Sequence, residues 1–318
     1  MKRPYTAALA CALALTVSAL TAGCGDGGAA DAAESSELRV GYQRFAALSL
    51  VKARKAEAPG TTWSLFESGP ALSEGLKAGA IDIGEVGEAP PIFAAAGKID
   101  FKIVATSAPV PRGEAVLVKE SRGFRSFKDL KGKKIGLNKG SNVNWLLVKL
   151  LEANGMTVDD VDVKYLKPAE ARPAFDNDQI DAWIIWDPYF ALAETPGVKV
   201  LVDATGLANN REYVLVSPDA LEKKPEQVEK FLQTLQQTTA WGIEHPDERG
   251  TLLSPELKIP LDTTVRAQAR SAQPIEPVNA EIGDEIQEIA DGFTDLKLIP
   301  GKVDMKSRID DRFTDVLT

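Results

Sequence analysis

The chain has 318 residues, a formal net charge of -9, and a composition that is 44% hydrophobic and 26% charged. That length exceeds one typical domain and favours two. An acidic chain without clustered Lys and Arg excludes a nucleic-acid binder, which needs cations to neutralise phosphates.

The amino terminus carries the first specific signal. Lys2 and Arg3 make a basic start, and residues 7–22 form an uncharged, mostly apolar run. The run is marginal for a membrane span, which takes ~20 apolar residues, and it ends in small residues as a signal peptide does. Leu20-Thr21-Ala22-Gly23-Cys24 then resembles a bacterial lipobox, with Thr21 standing where Leu is usual. The expectation is a lipoprotein signal peptide over 1–23, with Cys24 acylated as the new first residue. The alternative is an ordinary signal peptide with a chance cysteine. Cys11 and Cys24 are the only cysteines, so the mature chain would keep one thiol and no internal disulfide. An exported free thiol is a liability, whereas an acylated one is an anchor. Residues 24–36, rich in Gly, Ala and small polar residues, read as a tether with a reach of roughly 20 Å.

The folded part starts at Leu38–Tyr42, a short strand closing in a turn. The pattern predicts a helix over Pro70–Ala78 ended by Gly79, a strand at Ile81–Gly84, a helix at Ile92–Ala96, and strands at Lys102–Thr106 and Ala115–Val118. A second unit follows: a strand at Lys134–Leu137, a turn at 138–142, and a helix over Val143–Ala153 with Leu147, Leu150 and Leu151 on one face. Val161–Leu166 and Ala182–Trp186 read as further strands. The alternation predicts an α/β fold with largely parallel sheets and ligand sites at the carboxyl ends of strands. Glu114–Val118 and Glu212–Val216 look like sisters and read as paired hinge strands around an inserted lobe. The expected division is 37–118 and 212–318 for the first lobe and 119–211 for the second. Helices at Pro225–Trp241 and Glu281–Asp291 should pack on the first.

Reactive groups are scarce. The single histidine, His245, precedes Pro246 in an acidic stretch that suits a surface turn, so neither a transition-metal site nor a Ser-His-Asp triad is expected. Lys139-Gly140-Ser141 does not follow the order of a phosphate-binding P-loop. What remains is binding chemistry. Gly140-Ser141-Asn142 opens a helix, whose free amides and dipole suit an anion, or else Ser141 simply caps it. Asp187, between Trp186 and Pro188, is either a helix cap or a ligand contact. Of Trp183 and Trp186 at most one can face a pocket. Glu85 and Glu88 belong to a strand-end loop and form either a pocket wall or a solvated acidic turn.

Several long stretches resemble aliphatic-sulfonate-binding proteins of ABC importers: IDIGEVGEAPPIFAAAGK, DLKGKKIGLNKGSNVNWLLVKLLEANG, AEARPAFDNDQIDAWIIWDPYFALAE, TGLANNREYVLV and QPIEPVNAEIGDEIQEIADGFTDLKLIPGKVD. The likeness runs from about Leu38 to Arg308, and the wider family includes binders of taurine, nitrate and thiamine-precursor pyrimidines. The resemblance implies a two-lobed clamp of the periplasmic-binding type with two hinge crossings. It also implies a monomer without cofactor that delivers a small organic anion to an ABC permease and its ATPase. Residues carried over by matching motif are Gln43, Glu88, Ser141, Asn142, Trp186 and Asp187. Phe45 and Trp186 would supply apolar wall. The chain departs at Glu85, where a small or neutral residue is usual, at Asn144, where His is usual, and at Trp145. Glu85, if it faces the pocket, favours a ligand with an amine. An enzyme on the same fold would need a reactive His or Cys set missing here.

Overall fold

A computed structural model describes residues 37–44 and 46–318. The predicted signal peptide, Cys24, the tether and Phe45 lie outside the described residues.

The α/β alternation folds into two sheets. The strands are β1 (Leu38–Gln43), β2 (Thr61–Phe66), β3 (Ile83–Gly87), β4 (Lys102–Ser107), β5 (Glu114–Lys119), β6 (Lys134–Leu137), β7 (Asp162–Tyr165), β8 (Ala182–Trp186), β9 (Val198–Asp203), β10 (Glu212–Val216) and β11 (Ile275–Pro277). The first sheet runs β11-β4-β10-β3-β1-β2 and the second β7-β6-β8-β5-β9. Strands β1, β2 and β3 pair in parallel, as do β6, β7 and β8. The strands β5 and β8 are almost wholly buried, which is why they read as continuous apolar runs rather than alternating ones. The reading overlooks β2 and β9 because both are half-exposed strands at a sheet edge, without such a run.

Helices α1 (Ala47–Arg54), α2 (Gly69–Lys77) and α3 (Pro90–Ala96) belong to the first sheet's half; α4 (Val143–Ala153), α5 (Pro168–Asp176) and α6 (Tyr189–Ala193) belong to the second. Helix α2 stops where Gly79 turns left-handed at φ 64, a conformation that favours glycine. After β10 come α7 (Pro218–Lys223), α8 (Pro225–Glu244), α9 (Pro246–Leu257), α10 (Leu261–Ser271) and α11 (Ala280–Asp295). Val228, Phe231, Leu232 and Leu235 fall on one face of α8 at helical spacing and share a core with Val40, Val214 and Val216 of the first sheet.

The sister strands do not pair with each other. Strand β5 sits inside the second sheet, antiparallel to β8 and β9, and β10 inside the first, antiparallel to β3 and β4. Each is the first strand after a crossing, so each enters a largely parallel sheet from the opposite direction. The outward crossing therefore falls at residues 108–113, one strand before the expected boundary at 118, and the return falls at 204–211.

Candidate functional site

Both sheets contribute to a cavity of about 80 Å³, several times the ~10–15 Å³ that admits one water. It lies at the carboxyl ends of β1 and β8, as the parallel topology requires. Gln43 closes β1, Ala46 and Ala47 begin α1, Glu85 comes from β3, Asn142 begins α4, and Trp186 and Asp187 end β8. Helices α8, α9 and α10 add Thr239, Arg249 and Gln268.

Five of the seven predicted ligand residues line this cavity. Gln43 donates its Nε2 to the backbone carbonyl of Glu85 at 3.0 Å. Asn142 donates its amide to Glu114 Oε2 at 2.8 Å and to Asn210 Oδ1 at 2.6 Å, stitching the start of α4 to both crossings. A Cβ on Gly87 would stand 3.1 Å from that asparagine, so β3 and α4 meet at a glycine-sized gap. Trp186 packs edge-on against Tyr189, while Trp183 is buried in the core. Asp187 caps α6, accepting the Ala191 amide at 3.1 Å, and forms a two-pronged ion pair with Arg270.

Ser141 and Glu88 are not among the residues lining it. The Ser141 hydroxyl donates to the Asn138 carbonyl at 2.8 Å, closing its own turn. Glu88 points toward the return crossing, accepting the Arg211 amide at 3.3 Å. It lines a second cavity of about 480 Å³ with Trp145, Glu285 and Glu288. The departures at 144 and 145 also have local explanations. Asn144 Oδ1 accepts the Gly140 amide at 2.6 Å, bracing the turn. Trp145 packs edge-on against Phe293 of α11, which ties the two halves together.

Three buried glutamates, Glu85, Glu88 and Glu114, and the half-buried Glu212 gather around the crossings. Glu85 takes the Leu48 amide on Oε2 at 3.0 Å, and the Ala47 amide as well, so it caps α1 from within the cavity wall. Burial pushes its carboxyl up to about 7 and that of Glu88 up to about 8. Glu114 and Glu212 are held well above the usual carboxylate range, by burial first and then by neighbouring glutamates. Glu88, Glu114 and Glu212 each keep one oxygen without a hydrogen-bond partner among the described residues. Carboxylates gathered this deep disfavour one another's ionisation.

The sequence reading does not pick out Arg249. Its guanidinium is buried and lines the cavity, donating to the carbonyls of Gly242 at 2.8 Å and Gln268 at 3.4 Å. Its Nε has no hydrogen-bond partner, and no carboxylate lies within ion-pair distance of it among the described residues. Burial alone pushes its pKa down. A desolvated cation without a counter-ion is costly, and an anion in the cavity would offset that cost. His245 stacks on Trp241 at the end of α8, 3.3 Å from Glu248, away from the cavity.

Residues 74–249 match the family model described as NMT1/THI5 like. The chain is 35% identical over 289 residues to a putative aliphatic sulfonates-binding protein of Escherichia coli (strain K12), covering 87% of this chain and 90% of that one. It is also 35% identical over 310 residues to a putative aliphatic sulfonates-binding protein of Bacillus subtilis (strain 168), covering 92% of each. Among solved structures it superposes on the alkanesulfonate-binding protein of Xanthomonas axonopodis pv. citri bound to MOPS. The TM-score is 0.82 at 32% identity, over 86% of this chain and 98% of that one.

Proposed function

The chain belongs to the NMT1/THI5-like family, and from that premise we propose that it is an extracytoplasmic solute-binding protein that captures aliphatic sulfonates and delivers them to an ABC import permease. The observation that carries the reading is the cavity itself: a buried guanidinium without a carboxylate, Arg249, shares it with the apolar face of Trp186. A sulfonate stays anionic at any biological pH and offers three acceptor oxygens. Charge-assisted bonds to it contribute roughly 1.5–3 kcal/mol each, and the organic tail needs an apolar wall. The Arg249 end suits the head group better than the turn at Ser141, whose hydroxyl is engaged. Both relatives and the superposed structure carry sulfonate-binding names, which supports a binding protein rather than an enzyme.

In this reading the first lobe comprises residues 37–107 and 212–318, and the second comprises 114–203. A ligand touching both lobes favours the closed arrangement by population shift, and the permease reads that closed surface. The protein works as a monomer, held to the outer side of the membrane by an acyl chain on Cys24. Cys24→Ser should release it from the membrane fraction; retention there would overturn the anchor.

A thermal-shift series in a buffer free of sulfonates tests the function. Ethanesulfonate and longer alkanesulfonates should raise the melting temperature, with about 2.7 kcal/mol of stabilisation at a hundredfold excess over Kd. A shift with nitrate or a pyrimidine but none with any sulfonate would reject the assignment.

A further inference from the structure

We propose that Glu85 couples capture to a proton: an anionic head enters the cavity while the Glu85 carboxyl is protonated, and the ionised carboxylate keeps it out. The proposal rests on the reading of the protein as an anion receptor and adds what regulates that site. Its basis is position. Glu85 is 1% exposed, lines the cavity, and bonds the amides of Ala47 and Leu48. Those amides open α1 and have no acceptor within the helix. The helix start opens on the same cavity as Arg249, and the Glu85 carboxylate fixed on its amides stands beside whatever anion Arg249 receives.

The charges around Glu85 leave the choice to a proton. No Lys or Arg forms an ion pair with it among the described residues. Gln43 donates to the Glu85 backbone carbonyl and not to its carboxyl. From β10, Glu212 faces it, its own carboxyl pushed well above the usual range by burial and then by Glu85 and Glu88. From β8, Asp187 is neutralised by Arg270. From the segment after β1, Arg44 lines the cavity and donates to the Leu257 carbonyl, and from α9 Arg249 lines it too. Glu88 lies off the cavity on the Asn210 and Arg211 amides. Burial raises the Glu85 carboxyl to about 7, against two amide bonds that lower it.

The step balances simply. One ligand anion enters, one proton from solvent forms an O–H bond on Glu85, and the charge of the cavity is unchanged. Without the proton two negative charges would share a small cavity, which raises the carboxyl further and disfavours the complex.

The test is calorimetric titration of the full chain with ethanesulfonate, from about pH 5.5 to about pH 9, in buffers that carry no sulfonate. Affinity should be level below about pH 6 and fall about tenfold per pH unit well above 7, with up to one proton taken up per ligand. Proton uptake is read from the dependence of the apparent enthalpy on the buffer's ionisation enthalpy, and it needs no variant. Glu85→Gln, with folding checked by near-UV circular dichroism, should lose the pH dependence of the affinity and take up no proton. Glu212→Gln should keep the slope. A level profile in the parent, or an unchanged slope in Glu85→Gln, overturns the coupling. So does a taurine affinity that rises through pH 7 and vanishes in Glu85→Gln, because the carboxylate is then a counter-ion for an amine. If neither ethanesulfonate nor any other anion binds at any pH, the receptor reading itself fails, which is a distinct result.

Discussion

Arg249 and Arg270 stand on successive helices, α9 and α10; Arg249 lines the cavity and Arg270 pairs with Asp187, which does, yet their surroundings differ. Arg270 is gripped on two sides, by Asp187 at 2.9 Å and by Glu194 at 3.1 Å, and its guanidinium lies over the Phe190 ring. Arg249, only 5% exposed, has two backbone carbonyls and no carboxylate. A bidentate guanidinium–carboxylate pair is complete without a ligand and clamps α10 to the end of β8. A guanidinium held only by carbonyl dipoles keeps most of its charge for whatever enters the cavity. The same residue type therefore braces a wall residue, Asp187, in one place and is proposed to receive the ligand in the other.

The comparison is broken most forcefully at Arg270. Arg270→Gln leaves Asp187 buried without its cation, so stability should fall by about 3–5 kcal/mol in chemical denaturation. Restoring most of it with Asp187→Asn in the same chain would identify the pair as the cause. Arg249→Gln should do the reverse: little loss of stability, and a sulfonate Kd weakened tenfold to about a hundredfold by calorimetry, the equivalent of 1.5–3 kcal/mol. Equal affinities in Arg249→Gln and the parent would move the head group elsewhere.

Two smaller effects sharpen the contrast with the hinge. The folded protein keeps the Glu88 proton up to about pH 8, whereas an ordinary glutamate loses it near 4.5. Between those values the native state binds more protons, so stability falls as pH rises, by up to about 1.4 kcal/mol per unit. Glu88→Gln should flatten that slope and raise the melting temperature at pH 7 more than at pH 5. Ser141→Ala should cost about 1 kcal/mol of stability through the lost bond to Asn138 and change the sulfonate Kd less than twofold. A tenfold loss of affinity there would return the head group to the α4 turn.

Much of the scaffold is legible along the chain. The apolar runs of β5, β8 and β10, the Val143–Ala153 helix and the turns at Gly79 and Gly140 follow from local rules of burial, periodicity and backbone freedom. The strand-end stretches that hold Gln43, Asn142, Trp186 and Asp187 are recognisable because parallel topology puts ligand sites there.

What each side chain does at those places is settled by partners far away in sequence. Glu85 caps a helix that begins 38 residues before it, through the amides of Ala47 and Leu48. Asp187 is held by an arginine 83 residues later. Arg249 is an ordinary basic residue in an ordinary helix until α8 and α10 bury it beside the cavity. Strand β5 looks the same whichever sheet it joins, since its apolar sequence fits either, and only pairing with β8 and β9 assigns it to the second. Local rules decide conformation because they act between neighbours in sequence. Charge state, ion pairing and sheet membership depend on which surfaces meet, and only the tertiary structure brings those surfaces together.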